Sequence, residues 1–180
     1  MLNLGCLVVT IGRQTARKVE LHCPPGLTPY ADALHAQRQA FQKRVHAARY
    51  PAAGRQTQPD LLITLTHPPV YTLGASADER HLLETKGVLV ERTERGGDVT
   101  YHGPGQIVLY PILNLRHYAT DVHWYVRSLE EVVIRTLASL DIAGGRQQGL
   151  PGVWVDGAKV CAIGTKLSRG TTMHGRALNV

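Results

Sequence analysis

The sequence predicts an α+β domain: a mixed β-sheet with flanking helices. Three observations lead there. A helix-spaced apolar stripe near the start is followed by strands, not by regular strand–helix alternation. A second stripe at the same spacing comes only after residue 121, and the last thirty residues read as hairpins. Helix, strands, helix, hairpins is not the order of a doubly wound sheet.

The first helix is predicted over residues 28–49. Thr28 suits a cap and Pro29 the first helical position. Tyr30, Leu34, Phe41, Val45 and Ala48 then share one face, with Gln37 and Arg38 interrupting it. Residues 50–60 (YPAAGRQTQPD) form a polar loop. Strands follow over 61–66, 70–73 and 88–93. The run 107–115 is apolar enough to be covered on both faces. Asp121 caps the second helix, whose stripe is Val122, Val126, Leu129, Val133, Leu137 and Leu140. Residues 153–155 and 158–163 flank Asp156-Gly157, a two-residue turn tolerant of positive φ; 165–168 and 171–180 flank Arg169-Gly170.

Composition fits one domain with its own core. The chain has 180 residues, 43% of them apolar and 19% charged. No apolar run approaches the roughly 18 residues that cross a bilayer, so no membrane span is expected. The net charge of +6 favours acidic partners. Basic residues are scattered and only 6% of residues are aromatic, so nucleic acid is not the expected partner. Three widely spaced cysteines exclude a disulfide scaffold and suggest a reducing, intracellular setting. The nine histidines show no His-x-x-x-His or Cys/His zinc spacing, so no metal is expected. Residues 1–26 carry Arg13, Arg17 and Lys18 before the first acid, Glu20. That pattern fits a weak mitochondrial or plastid targeting segment and equally a leader or first strand; without targeting, the compartment is the cytoplasm.

The chemistry concentrates in residues 95–106, RGGDVTYHGPGQ, with four glycines and a proline in twelve positions. Glycine lets backbone amides approach a ligand, while Arg95, Thr100, Tyr101, His102 and Gln106 supply polar groups. No Gly-Lys-Ser/Thr follows, and a strand rather than a helix comes next, which excludes a phosphate loop and a dinucleotide fingerprint. His102 and His174 each precede a glycine, and each suits a general acid, an oxyanion donor or a substrate contact. Period-two alternation places Lys159, Cys161 and Ile163 on one strand face. Cys161 in an apolar strand reads first as a small core residue and only secondarily as a nucleophile.

Taken in order, several motifs resemble the lipoyl(octanoyl) transferases. They are residues 67–74 (HPPVYTLG), 95–106, 152–155 (GVWV), 159–164 (KVCAIG) and 174–179 (HGRALN). The resemblance runs from about residue 27 to 180, which sets the catalytic domain; residues 121–125 (DVHWY) are similar to plastid and cyanobacterial members. It implies the fold of biotin- and lipoate-protein ligases. It also implies transfer of an octanoyl group from the phosphopantetheine of acyl carrier protein, through an enzyme cysteine thioester, to a lysine of a lipoyl domain. The acceptors would be lipoyl domains of 2-oxoacid dehydrogenases and the glycine cleavage H protein. No further cofactor, ATP or metal is implied, and a monomer is expected. By position, Lys159 matches the lysine that lowers the cysteine pKa and moves protons. Arg95, Gly96, Gly97, Asp98, Val99, Thr100, Tyr101 and His102 match the substrate-binding stretch. Ala162, Ile163 and Gly164, with Gly175, Arg176 and Ala177, match segments lining the acyl site.

Two departures stand out. Arg176 occupies a position usually apolar in the family (HGLALN or HGFALN). The family nucleophile lies in a Pro-Cys-Gly segment with no counterpart up to Val180, and Cys161 does not fill that position. The chain is therefore expected to be a C-terminally incomplete transferase with little or no activity of its own. The alternatives are a non-catalytic acyl- or carrier-binding module and, less favoured, an ATP-dependent lipoate ligase.

Overall fold

A computed structural model of the protein describes residues 4–9, 17–49 and 58–180. Most of the predicted loop over 50–60, and Arg13 of the targeting-type segment, lie outside the described residues. Eleven strands and two α-helices are present among those described. The large sheet runs β1 (Leu4–Val9), β2 (Arg17–His22), β3 (Asp60–Leu65), β7 (Gln106–Ile112), β11 (Thr171–Asn179), β10 (Ala158–Ser168), β9 (Leu150–Val155) and β8 (Gly145–Gln147). A small sheet orders β5 (Leu89–Arg92), β4 (Val70–Leu73) and β6 (Val99–His102). Parallel pairs β2–β3 and β4–β5 among antiparallel neighbours make both sheets mixed.

The helices occupy opposite faces of the large sheet. Helix α1 (Tyr30–Arg49) packs Tyr30, Leu34 and Phe41 with Val108, Tyr110, Met173 and Ala177. Helix α2 (Val122–Ala138) packs Val133 and Leu137 with Val153 and Cys161, and Tyr125 and Leu129 with Leu115. On α1, Gln37 does not interrupt the buried stripe but completes it. It is fully buried, and its Oε1 accepts the His174 N–H at 3.0 Å. On α2 the buried face is rotated from the predicted one: Tyr125 and Glu130 are inside, while Val122 and Leu140 are 43% and 64% exposed. The Glu130 carboxylate is tolerated there because Arg127, Arg146 and the Gly152 N–H all donate to it, at 2.7, 2.9 and 3.1 Å.

Three further expectations change. Residues 158–168 form one long strand rather than parts of two hairpins, although both predicted turns stand, with positive φ at Asp156-Gly157 and Arg169-Gly170. Residues 99–102 of the glycine-rich stretch are strand β6, which pairs with β4. β7 is not covered on both faces, since Ile107 is 46% exposed.

Strand β7 is central yet contains Pro111, which presents its carbonyl to Thr172 of β11 and has no N–H to add beside it. There β11 leaves regular geometry. His174 takes φ +57 and donates its N–H to Gln37 of α1 instead of to a strand. Gly175 follows because the backbone lies against Leu109 and Pro111; a Cβ would collide with the Leu109 carbonyl and meet Pro111 Cδ at 2.6 Å. Gly175→Ala is therefore expected to cost about 2–3 kcal/mol in denaturant unfolding. Gly145→Ala, where a Cβ meets nothing within 4 Å, should change stability by less than about 0.5 kcal/mol.

Candidate active site

Arg95 organises the site. It is 7% exposed and sits beneath the glycine-rich segment. Its guanidinium donates to the backbone carbonyls of Thr72 at 2.7 Å, Asp98 at 2.8 Å and Gly96 at 3.0 Å, and to Thr72 Oγ at 2.9 Å. These are charge-assisted bonds, and those to Thr72 are fully buried. The segment is thereby tied to β4 on one side. On the other, Gly96 N–H donates to the Thr165 carbonyl of β10 at 2.9 Å. Gly164 lets it lie that close: a Cβ there would meet the Gly96 carbonyl at 2.8 Å and Arg95 Cδ at 3.1 Å. Gly74 does the same across β4, where a Cβ would meet Arg95 at 2.9 Å.

The clamp leaves a narrow cleft between β6 and the β10–β11 pair. Its floor is Ala162 and Gly164 of β10 with Gly175 and Ala177 of β11. Tyr30, Val108 and Tyr110 form an apolar and aromatic wall; Arg95, Thr100, His102 and His174 supply polar atoms. A small-residue floor with few polar groups suits a narrow alkyl chain carrying one polar end.

Burial sets the electrostatics. It drives the pKa of His102 down to about 4, partly opposed by the hydrogen bond that His102 donates to Gln106. Burial likewise lowers His174 to about 4. His67 is also held below its ordinary value by burial. Its Nδ1 lies 2.7 Å from the Thr28 carbonyl, so Nδ1 carries the proton and Nε2 accepts from the Tyr110 hydroxyl at 2.8 Å. Burial pushes the Tyr30 phenol up to about 12 and Tyr110 well above its ordinary value, so both stay protonated. The cleft is thus lined by neutral imidazoles and phenols near one buried cation. Both ring nitrogens of His174 are buried without a protein partner.

The residues singled out from sequence divide into three groups. Arg95, Thr100, His102, Ala162, Gly164, Gly175 and Ala177 meet in the cleft. Gly96, Gly97 and Asp98 shape the segment above it: Gly97 takes φ +89, and Asp98 accepts from His81 and the Asp78 N–H on the outer side. Val99 pairs with Leu73, and Tyr101 is 45% exposed, its ring against Tyr71.

Ile163 points the other way, into the α2 core, which corrects the expectation that its side chain lines the acyl trough. Arg176 contributes to the cleft lining, but its guanidinium runs to the α2 side and donates to the Leu129 carbonyl at 3.0 Å. The charge is thereby kept out of the trough, and burial lowers its pKa. Lys159 is exposed, with Nζ 4.7 Å over the Trp154 ring, and is not among the cleft-lining residues. The predicted shared face of Lys159 and Cys161 fails because β10 shifts register against β9 between them, a bulge that breaks the alternation. Cys161 is fully buried in the α2 core, and burial pushes its thiol up to about 11. That is a packing cysteine. Sequence reasoning missed Tyr30, Val108 and Tyr110, which reach the cleft from elements far apart in the chain.

Residues 29–180 match the lipoyl protein ligase A/B catalytic domain family. The chain belongs to that family. Within it, the chain is 50% identical over 157 residues to the octanoyltransferase of Gloeobacter violaceus, covering 87% of this chain and 67% of that protein. It is 51% identical over 164 residues to that of Thermosynechococcus vestitus, covering 88% and 68%. To that of Synechococcus sp. WH7803 it is 43% identical over 180 residues, covering 98% and 72%. The chain is thus an octanoyltransferase-family acyltransferase domain spanning about two thirds of the length of these relatives. Its fold is that of P. falciparum LipL1, solved with lipoate (TM-score 0.64, 15% identity, 90% of this chain and 47% of that one). It is also that of the bipartite lipoate protein ligase of Thermoplasma acidophilum (TM-score 0.60, 16% identity, 90% and 60%). No helix among the described residues is long and apolar enough to cross a membrane.

The buried imidazoles of this octanoyltransferase domain make its stability pH-dependent. A histidine lowered to about 4 in the folded state and ordinary when unfolded contributes fully above about 6.5; the contribution is lost as pH falls toward 4, because the unfolded chain binds the proton first. His102 and His174 together are expected to remove about 3 kcal/mol of unfolding free energy between pH 6.5 and pH 5. His174→Gln should remove about half of that slope. Denaturant titrations at several pH values check it; a flat profile contradicts the neutral-imidazole cleft.

Proposed function

We propose that the cleft holds the octanoyl chain of octanoyl-acyl carrier protein and presents its thioester for transfer to a lysine of a lipoyl domain. The observation that carries this reading is the pairing of the Arg95-clamped segment with the Gly/Ala floor of β10 and β11. In the net reaction the amine nitrogen forms a bond to the thioester carbonyl carbon. The C–S bond breaks, and the amine proton leaves with the thiol. The uncharged aromatic and glycine-lined walls seat the alkyl tail, and the polar rim orients the carbonyl end. Acyl carrier protein and lipoyl domains, including that of the glycine cleavage H protein, are acidic, and a chain of net charge +6 is steered toward them. Lys159 is assigned to proton handling beside the cleft by its match to the family motif, with no cofactor beyond the carrier's own phosphopantetheine. The chain acts as a monomer in this reading.

A second reading is an acyl- or carrier-binding module without transfer. It is favoured by one observation: among the described residues, no cysteine lines the cleft. Mass spectrometry of the chain with octanoyl-acyl carrier protein and a lipoyl domain separates the two. Octanoylated lipoyl domain supports transfer, and reversible binding without product supports the module. In the transfer case Lys159→Ala is expected to lower turnover by at least about 100-fold; unchanged turnover removes Lys159 from the chemistry.

The seat of the chain is tested by calorimetry with octanoyl-pantetheine. Ala162→Leu is expected to weaken binding at least tenfold, about 1.4 kcal/mol. Ile163→Val, on the opposite face, should change it less than twofold. The reverse pattern would place the ligand elsewhere.

A further inference from the structure

The bonds around His102 fix which of its ring nitrogens carries the proton. Nδ1 lies 2.6 Å from Gln106 Oε1. The orientation of the Gln106 amide is decided by its other end. Its Nε2 donates to the Tyr101 backbone carbonyl at 3.1 Å, which can only accept, and to Asn179 Oδ1 at 3.0 Å. Oε1 is therefore the atom facing His102, and an amide oxygen can only accept. Nδ1 must carry the proton. Because burial keeps the ring neutral, Nε2 is left with a lone pair. Among the described residues its one neighbour within bonding range is the Thr72 hydroxyl at 3.4 Å. That hydroxyl accepts from Arg95 at 2.9 Å and has the Thr100 carbonyl as an equally distant acceptor for its proton.

We infer that Gln106 and Asn179 are positioning residues that lock His102 as the Nδ1–H tautomer, so that His102 presents a hydrogen-bond acceptor to the ligand and selects an N–H group there. This rests on the acyl-cleft reading and sharpens it. In this tautomer His102 is neither an oxyanion donor nor a general acid at neutral pH. The acyl carbonyl oxygen is served by other donors, and the His102 lone pair orients the N–H of the incoming amine or of the amide it becomes. Gln106 and Asn179 lie 73 residues apart and meet because β7 pairs with β11 in the register Gln106↔Asn179.

Two measurements on the chain as it stands decide this. Long-range proton–nitrogen NMR reads the His102 tautomer directly: Nδ1–H is expected in the wild type and a shift toward Nε2–H in Gln106→Met. Wild-type His102 observed as Nε2–H overturns the inference without any variant. The second measurement compares binding of octanamide, which offers N–H, with methyl octanoate, which does not. The ratio of their affinities is expected to fall at least fivefold in Gln106→Met. A ratio that does not move overturns the ligand role of His102 even where the tautomer is as inferred. Failure of both ligands to bind wild type overturns the acyl-cleft reading instead, while the NMR result still decides the tautomer.

Discussion

One buried guanidinium holds this site together. The buried Arg95 gathers three backbone carbonyls from two segments, and the glycine-rich stretch above the cleft hangs from it. Burying a cation is costly unless its donors are matched, and here carbonyl dipoles rather than a carboxylate match them. Burial lowers the Arg95 pKa, with Asp98 and the two phenols of Tyr30 and Tyr110 weighing the other way. The clamp also requires glycine on the strands beside it. Gly74 and Gly164 are the two places where the clamped backbone touches its neighbours with no room for a side chain. An arginine spent on backbone carbonyls is also not free to grip a substrate, so recognition in the cleft falls to shape and to neutral groups.

The large sheet separates two tasks. Its α1 face, with the small sheet, makes both core and the cleft; its α2 face makes core alone. Strand β10 shows the division residue by residue, with Ala162 and Gly164 toward the cleft and Cys161 and Ile163 toward α2. The same division disposes of the one charge that looked out of place. Arg176 reaches the back of the sheet and finds the Leu129 carbonyl, leaving Gly175 and Ala177 to line the cleft beside its backbone. Near Pro111, which has no N–H for the ladder, His174 of β11 donates its N–H to Gln37 of α1.

Much of this was legible from residue patterns, and what was not has physical causes. Both long helices, the Asp121 cap and the two Gly-containing hairpin turns follow from local rules that act within four residues. The glycine-rich stretch stood out because Gly, Arg and His are concentrated there, and the structure brings Arg95, Thr100 and His102 of it into one cleft. Gln37 was misread because polarity alone says outside, whereas a fully buried glutamine needs a distant partner, here the His174 N–H, that no local pattern shows. The Lys159–Cys161 pairing was misread because strict alternation ignores bulges. The aromatic wall was missed because Tyr30 and Tyr110 come together only through the packing of α1 against β7.

The central claim is that an eight-carbon acyl chain lies between the Arg95-clamped segment and the floor of β10 and β11. Intermolecular nuclear Overhauser effects from carbon-13-labelled octanoyl-pantetheine test it most directly. The account predicts contacts from the alkyl protons to the methyl groups of Ala162, Ala177 and Val108, and none to Ile163. Contacts instead to Leu27, Leu65 and Ile107, which line the shallow apolar hollow at the ends of β3 and β7, would contradict it.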